Sequence, residues 1–355
     1  MKPDSRSNDG QLVYLDPFLI DRLRLNAGLS RKKLAAEAGI AFNTLRELFN
    51  GGGLQPHTAQ VIATKLGCQV TDLLAPCDPR YVAPAQPAGP WCGAPEWEAE
   101  GYLDQSRLAS NGLYYIVCRM RHRHTASRRG RGKFYHLSWL PPAARDDMRD
   151  KLSRHADVCA HVASHPNIAV NLTSTPVVND EGWWVIDDWI GEKTLANCLK
   201  IGAWPAAELP RLLLEIASGL QALHEAGVVF RELAPARVLI GDQDGRAVLT
   251  DFELAKLLDG SPSVSSEWPE DPFRAPEIDG GTVSIRADLY GLGKLAVVAA
   301  AGTLAGDEQI PVVFGKAGMQ KRLARYMMDC LEPVPAKRPP ELGPILKELA
   351  RWSEK

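Results

Sequence analysis

Between Pro76 and Glu98 the chain carries six prolines, at positions 76, 79, 84, 87, 90 and 95. Each removes a backbone donor and fixes φ, so neither a helix interior nor a central strand can run through this stretch. It reads as a semi-extended linker. It divides the 355 residues into a small helical part, 1–75, and a larger mixed part, 99–355, which suits a chain of about two domains. Apolar content of 45% and charged content of 24% are those of a soluble globular protein. A net charge of -2 gives no global attraction to nucleic acid or to an anionic membrane. No apolar run approaches the roughly 18 residues that would span a bilayer, so no membrane partner is expected. The opening MKPDSRSNDGQ lacks the apolar core of a secretory signal. The seven cysteines are odd in number, scattered, and without a C-x-x-C pair. Neither a zinc site nor a disulfide framework follows, and reduced thiols in a cytoplasmic protein are expected.

Residues 16–26 are amphipathic, with Phe18, Leu19, Leu23 and Leu25 among Asp and Arg, and Gly28 ends the stretch. Ser30 is placed to cap a second helix, and Leu34 and Ala35 face inward. Ala38-Gly39-Ile40 suits a tight turn: a small residue, one free at positive φ, then an apolar plug. Leu45 and Leu48 anchor a third helix that ends at Asn50-Gly51, and 57–74 reads as two more short helices. Together these features resemble the Cro/C1-type (XRE) helix-turn-helix family over 14–75. The resemblance implies an all-α five-helix module that binds operator-like, palindromic double-stranded DNA as a homodimer. In that family the second helix of the pair enters the major groove, which here brings Phe42, Asn43, Thr44, Arg46 and Glu47 to the bases. Asn43 suits adenine, Arg46 suits guanine or a phosphate, and Phe42 suits a thymine methyl. Arg31 and Lys32 would be phosphate contacts that set the register. Residues 1–78 carry nine Lys and Arg against eight Asp and Glu, so binding would rest on clustering, not on net charge.

From residue 99 the pattern shifts to short β-like runs, at 113–118, 134–140 and 183–186. After 191 it turns helical, with Leu209, Leu212, Leu213, Ile216, Leu220 and Leu223 in a buried stripe. Four motifs then follow in order. They are Phe230-Arg231-Glu232-Leu233 with Arg237; Asp251-Phe252-Glu253; Arg274-Ala275-Pro276-Glu277; and Asp288 with a late Arg338. They resemble the H-R-D-L-x-x-x-N, D-F-G and A-P-E signatures of the eukaryotic-type protein kinases. The resemblance implies an α+β bilobal kinase-like fold, with a small lobe over about 99–190 and a helical lobe over about 191–355. It assigns structural roles to Arg231, Phe252, Glu277, Asp288 and Arg338, including a buried Glu277–Arg338 ion pair.

The residues that would carry phosphoryl transfer are mostly changed. Ala109, Asn111 and Tyr114 stand at the three positions of the phosphate-cradling glycines. Alignment of the strand-three lysine motif gives Ser138, and its glutamate partner falls near Ala156 or Asp157. The catalytic base position holds Glu232, a carboxylate displaced by one methylene. The metal-binding asparagine becomes Arg237, which repels a cation. Asp251 survives as the one metal ligand, followed by Glu253 in place of glycine. In the kinase family that asparagine and the aspartate share a metal, so the resemblance implies that Arg237 pairs with Asp251 and blocks the metal site. The run Arg119–Lys133, with seven Lys and Arg and no acid, reads as a solvated, mobile hairpin loop, or as a surface for DNA phosphates or an acidic partner. Ser261, Ser263, Ser265 and Ser266 lie in a serine-rich loop. The expectation is a DNA-binding transcriptional regulator. Its pseudokinase domain, with no cofactor, would serve for dimerisation, for a protein partner or for ligand sensing. The alternatives are an atypical Ser/Thr kinase using Glu232, Asp251, ATP and magnesium, and an interaction adaptor that does not bind DNA.

Overall fold

A computed structural model describes residues 12–49, 52–75, 94, 96–108, 114–137, 142–162, 164–177, 182–253, 255–257, 272–280 and 283–354. The positions expected to carry the phosphate loop, 109–113, lie outside the described residues, as do Ser138, the serines between 261 and 266, and nearly all of the proline-rich stretch.

The N-terminal part is a set of short helices, α1 (Pro17–Asn26), α2 (Arg31–Glu37), α3 (Phe42–Phe49) and α4 (Pro56–Leu66), closed by a 3-10 turn at Val70–Leu73. Ser30 Oγ accepts the Lys33 amide at 3.1 Å and so caps α2. Gly39, at φ +66°, makes the turn into α3. Leu34, Leu45, Leu48 and Ile62 are wholly buried and form one core with Ile20 and Leu73.

The second part opens with β1 (Trp97–Leu108), β2 (Tyr114–His122) and β3 (Thr125–His136), followed by α5 (Pro142–His161), β4 (Asn171–Pro176) and β5 (Gly182–Asp188). The five strands form an antiparallel sheet in the order β1-β2-β3-β5-β4. The basic run is therefore strand and not a mobile loop: only Arg123 and His124 make the turn between β2 and β3. Much of its exposed charge is met by carboxylates of β1. Arg121 pairs with Glu98 at 3.2 Å and Glu100 at 3.4 Å, Arg123 with Glu98 at 3.6 Å, and Arg129 with Glu100 at 4.0 Å. Exposed pairs of this kind contribute about 0–1 kcal/mol each, but they answer most of the charge that the sequence offered to a partner.

The helical lobe comprises α6 (Leu195–Leu199), α7 (Leu209–Glu225), β6 (Val228–Val229), β7 (Val238–Ile240), β8 (Ala247–Leu249), β9 (Lys256–Leu257), α8 (Ile285–Ala301), α9 (Ile310–Lys316), α10 (Lys321–Cys330) and α11 (Gly343–Ser353). The leucine stripe of α7 packs in one core with Leu289, Leu292 and Leu295 of α8 and Ile345 and Leu349 of α11. A short hairpin, β7–β8, and the antiparallel pair β6–β9 that flanks it in the chain carry the motif residues at the edge of this lobe that meets the sheet.

Candidate functional site

The loop between β6 and β7 is tied to α8 before it reaches the site. Asp288 accepts the amides of Phe230 at 2.9 Å and Arg231 at 2.6 Å, and its other contact is His224 at 2.8 Å. These bonds hold Arg231 at φ +72°, and Asp251 after β8 sits at φ +69°. Left-handed backbone at a non-glycine residue costs on the order of 1–3 kcal/mol and is kept where the surroundings enforce it. Phe230 and Phe252 pack at 5.2 Å between ring centroids beneath the two loops. Farther out, Arg338 is fully buried and forks onto Glu277 at 2.6 and 2.9 Å, the pair the motifs predict.

Asp251 is the centre of the site. Its Oδ2 receives Lys133 Nζ at 2.5 Å and Arg237 Nη1 at 2.9 Å, while Oδ1 accepts the Thr250 hydroxyl at 3.3 Å. The second guanidinium nitrogen of Arg237 reaches Glu232 Oε2 at 3.3 Å. Burial disfavours the ionised form of Asp251, but Lys133 and Arg237 outweigh it and hold the carboxyl well below its ordinary range. Burial likewise works against the charge on Arg237, and Glu232 and Asp251 more than offset it. Glu253 takes the hydroxyl of Tyr135, whose own ionisation is pushed far up by burial and then by Glu253.

Lys133 corrects the alignment that placed Ser138 at the lysine position. The cation is present, five residues earlier, on β3. Alternation explains why. Arg131, Lys133 and Tyr135 share one face of the strand, and Gly130, Gly132 and Phe134 share the other. A Cβ on Gly130 would come within 2.8 Å of Ile186 and 2.9 Å of the Asp187 carbonyl, and one on Gly132 within 2.6 Å of Met120. The glycines let β3 lie close over the small-lobe core and aim its other face at the cleft. The signal in the sequence was the period-two pattern Arg-Gly-Arg-Gly-Lys-Phe-Tyr, obscured by its charge.

The partner expected on α5 near Ala156 or Asp157 is also corrected. Asp157 is exposed, and the residue that turns inward is His155. Its Nδ1 accepts the Phe252 amide at 3.1 Å, and its Nε2 meets Asp187 at 2.8 Å. An amide can only donate, so the ring proton sits on Nε2 and points at Asp187. Asp187 also accepts from Asn171 at 3.0 Å and shares the one Thr250 hydroxyl proton with Asp251, each carboxylate oxygen lying 3.3 Å from the hydroxyl. His155 and Asp187 thus join α5, β5 and the Asp251 loop behind the site.

Arg131, also missed in the sequence, is buried at the opposite end. Its Nη1 donates to the carbonyls of Gly191 and Glu192, each at 3.1 Å, in the segment that links the lobes. The cavity left between Tyr115, Val117, Arg131, Lys133, Leu239 and Asp251 measures about 20 Å³.

A magnesium–nucleotide pair does not fit these residues. Both oxygens of Asp251 are engaged, and the position that would supply a second neutral ligand holds a guanidinium bonded to both local carboxylates. Among the described residues no cluster of three His, Cys, Asp or Glu could hold a metal ion. Lys133 alone suits a phosphate.

In the N-terminal part, Lys32, Phe42, Asn43 and Glu47 are exposed, and Thr44 and Arg46 are half-buried on α3. Arg31 is corrected as a phosphate contact. It is buried, bonded through its guanidinium to Asp21, and lies 3.9 Å over the Phe49 ring. Asp21 also holds Arg24, so this cluster braces α1 against α2.

Residues 126–351 match the family described as protein kinase domain, and residues 20–73 match a helix-turn-helix family. The kinase match begins at Ala126, inside β3, and leaves out β1 and β2. Similar proteins include CPE1738 of Clostridium perfringens, a probable serine/threonine-protein kinase, 24% identical over 49% of this chain and 27% of that protein. Serine/threonine-protein kinase pkn2 of Myxococcus xanthus is 31% identical over 47% of this chain and 21% of its own length. PknJ of Mycobacterium tuberculosis, a serine/threonine-protein kinase, is 30% identical over 41% and 26%. The chain therefore matches only about a quarter of these relatives' length.

Proposed function

Since the chain belongs to the protein kinase domain family and carries a helix-turn-helix segment, we propose that it is a DNA-binding regulator whose kinase-fold part does not transfer phosphate. That part serves as a platform for a second copy, a partner protein or a ligand unlike ATP. The observation that carries this reading is Arg237, bonded to Asp251 at 2.9 Å and to Glu232 at 3.3 Å. Phosphoryl transfer depends on positioning and on cations placed at the developing charge. Here both carboxylates that would hold a cation, or accept a proton, are neutralised by the chain itself. The helix-turn-helix supplies the output: Asn43, Arg46 and Phe42 read base edges from α3, with Thr44 and Glu47 beside them and Lys32 on a phosphate.

The test is incubation of the purified full chain with labelled ATP, magnesium or manganese, and generic protein substrates, beside a band shift on operator-like DNA from its own promoter. No label transfer together with a sequence-specific shift is expected. A second reading, an atypical serine/threonine kinase, draws on Lys133 lying 2.5 Å from Asp251 and on the carboxylate kept at Glu232. Label transfer abolished by both Glu232→Gln and Lys133→Ala would replace the first reading with that one.

A further inference from the structure

Three residues at every second position of β3 cross from the small lobe to the other side of the cleft. Arg131 reaches the Gly191 and Glu192 carbonyls, Lys133 reaches Asp251, and Tyr135 reaches Glu253. The outermost of these does something the other two do not. Two successive backbone carbonyls that open onto a cleft are acceptors for the N–H edge of a flat heterocycle. A guanidinium, planar and rich in N–H donors, fits the same acceptors.

From this geometry we infer that Arg131 is the cleft's own occupant, a plug in the seat of a nucleotide base, and that removing it turns the cleft into a nucleotide site. The space supports this. The remaining void of about 20 Å³ is room for about one water molecule. It is far below the ~300 Å³ at which small-molecule pockets begin. Truncation at Arg131 frees both carbonyls at one end. It leaves Val117 and Leu239 as apolar walls and Lys133 at the other end. That is a slot with acceptors for a base, walls for its faces and a cation for its phosphate. Arg237 still holds Asp251, so the ligand class is an adenine-type nucleotide taken without a divalent ion.

The inference rests on the reading of the cleft as one that does not transfer phosphate. The test is calorimetric titration of the full chain with ATP, with and without magnesium, for the wild type, Arg131→Ala and Arg131→Ala/Lys133→Ala. The wild type is expected to show no binding tighter than about 1 mM. Arg131→Ala is expected to gain at least ~10-fold in affinity, independently of magnesium. The added Lys133→Ala is expected to remove that gain. If alanine leaves the domain without a cooperative melt, Arg131→Val, whose branched side chain suits a strand, takes its place with the same expected gain. Wild-type binding as tight as the variant's overturns the inference, as does a folded variant that binds nothing. A variant that stays empty overturns this inference alone, whereas label transfer by the wild type overturns the reading beneath it.

Discussion

At Asp251 two cations share one carboxylate, and the sign of its pH dependence follows. Its pKa is lowered on folding from an ordinary 3.8. The stabilisation from ionising it is therefore fully present above that ordinary value and is lost as pH falls from there through the lowered one. Asp251→Asn leaves Lys133 and Arg237 buried beside a neutral amide, which should cost about 3–5 kcal/mol at neutral pH. Chemical denaturation from pH 7 down to 3 should show a constant gap between wild type and variant above pH ~4 that narrows below it. A gap that narrows instead around neutral pH would place the linked proton on another group. How legible this site was depends on the residue. Asp251, Glu232 and Arg237 stand at fixed offsets inside motifs, so their meeting follows from loop length. Lys133 and Arg131 stand in a basic run, and local charge reads as solvent exposure. Only the pairing of β3 between β2 and β5 turns that run's alternate residues into the cleft. Arg31 misled for the converse reason. Nothing beside it in sequence announces Asp21 and Phe49, which bury it from the helices before and after its own.

Among the elements, the Pro276–Gly280 3-10 turn is linked to the end of the fold through one buried side chain. Arg338 gives its fork to Glu277 and further donors to the carbonyls of Glu332 at 2.7 Å and Arg286 at 2.9 Å. It thereby ties that turn, α8 and the segment before α11 together. Arg338→Ala strands a carboxylate that is only 10% exposed and the carbonyls of Arg286, Glu332 and Pro333, a loss of about 3–5 kcal/mol. A comparable midpoint in urea for variant and wild type would show that these segments hold without it. The pair is long-range, yet it was readable, because both partners sit in recognisable motifs. The helical lobe as a whole was readable for a related reason: a stripe such as that of α7 repeats over 17 residues, enough turns for the period to declare itself. In the small lobe the apolar runs were readable as strands, but β1 and the basic start of β3 were not. Its strands carry Glu on one member and Arg on the next, so their polar faces pair with each other instead of alternating against a plain apolar face.

Across the whole molecule, the N-terminal helices and the kinase-fold part have separate hydrophobic cores. The chain's net charge of -2 leaves DNA affinity to a few placed side chains. Arg46→Ala should therefore weaken a specific band shift by about 10–100-fold, the loss of one good base contact. Lys32→Ala should weaken specific and random DNA alike and flatten the salt dependence by about one unit of slope. Equal losses on both kinds of DNA for Arg46→Ala would move it from base reading to phosphate anchoring.

Three of the cross-lobe links start from a single strand, and together they take up the cleft's own acceptors, acid and base. Pharmacology sees the result most directly. On the proposed reading, a broad-spectrum kinase inhibitor that mimics adenine would find no vacancy to compete for, and a dose that silences nucleotide-bound enzymes would leave this chain untouched.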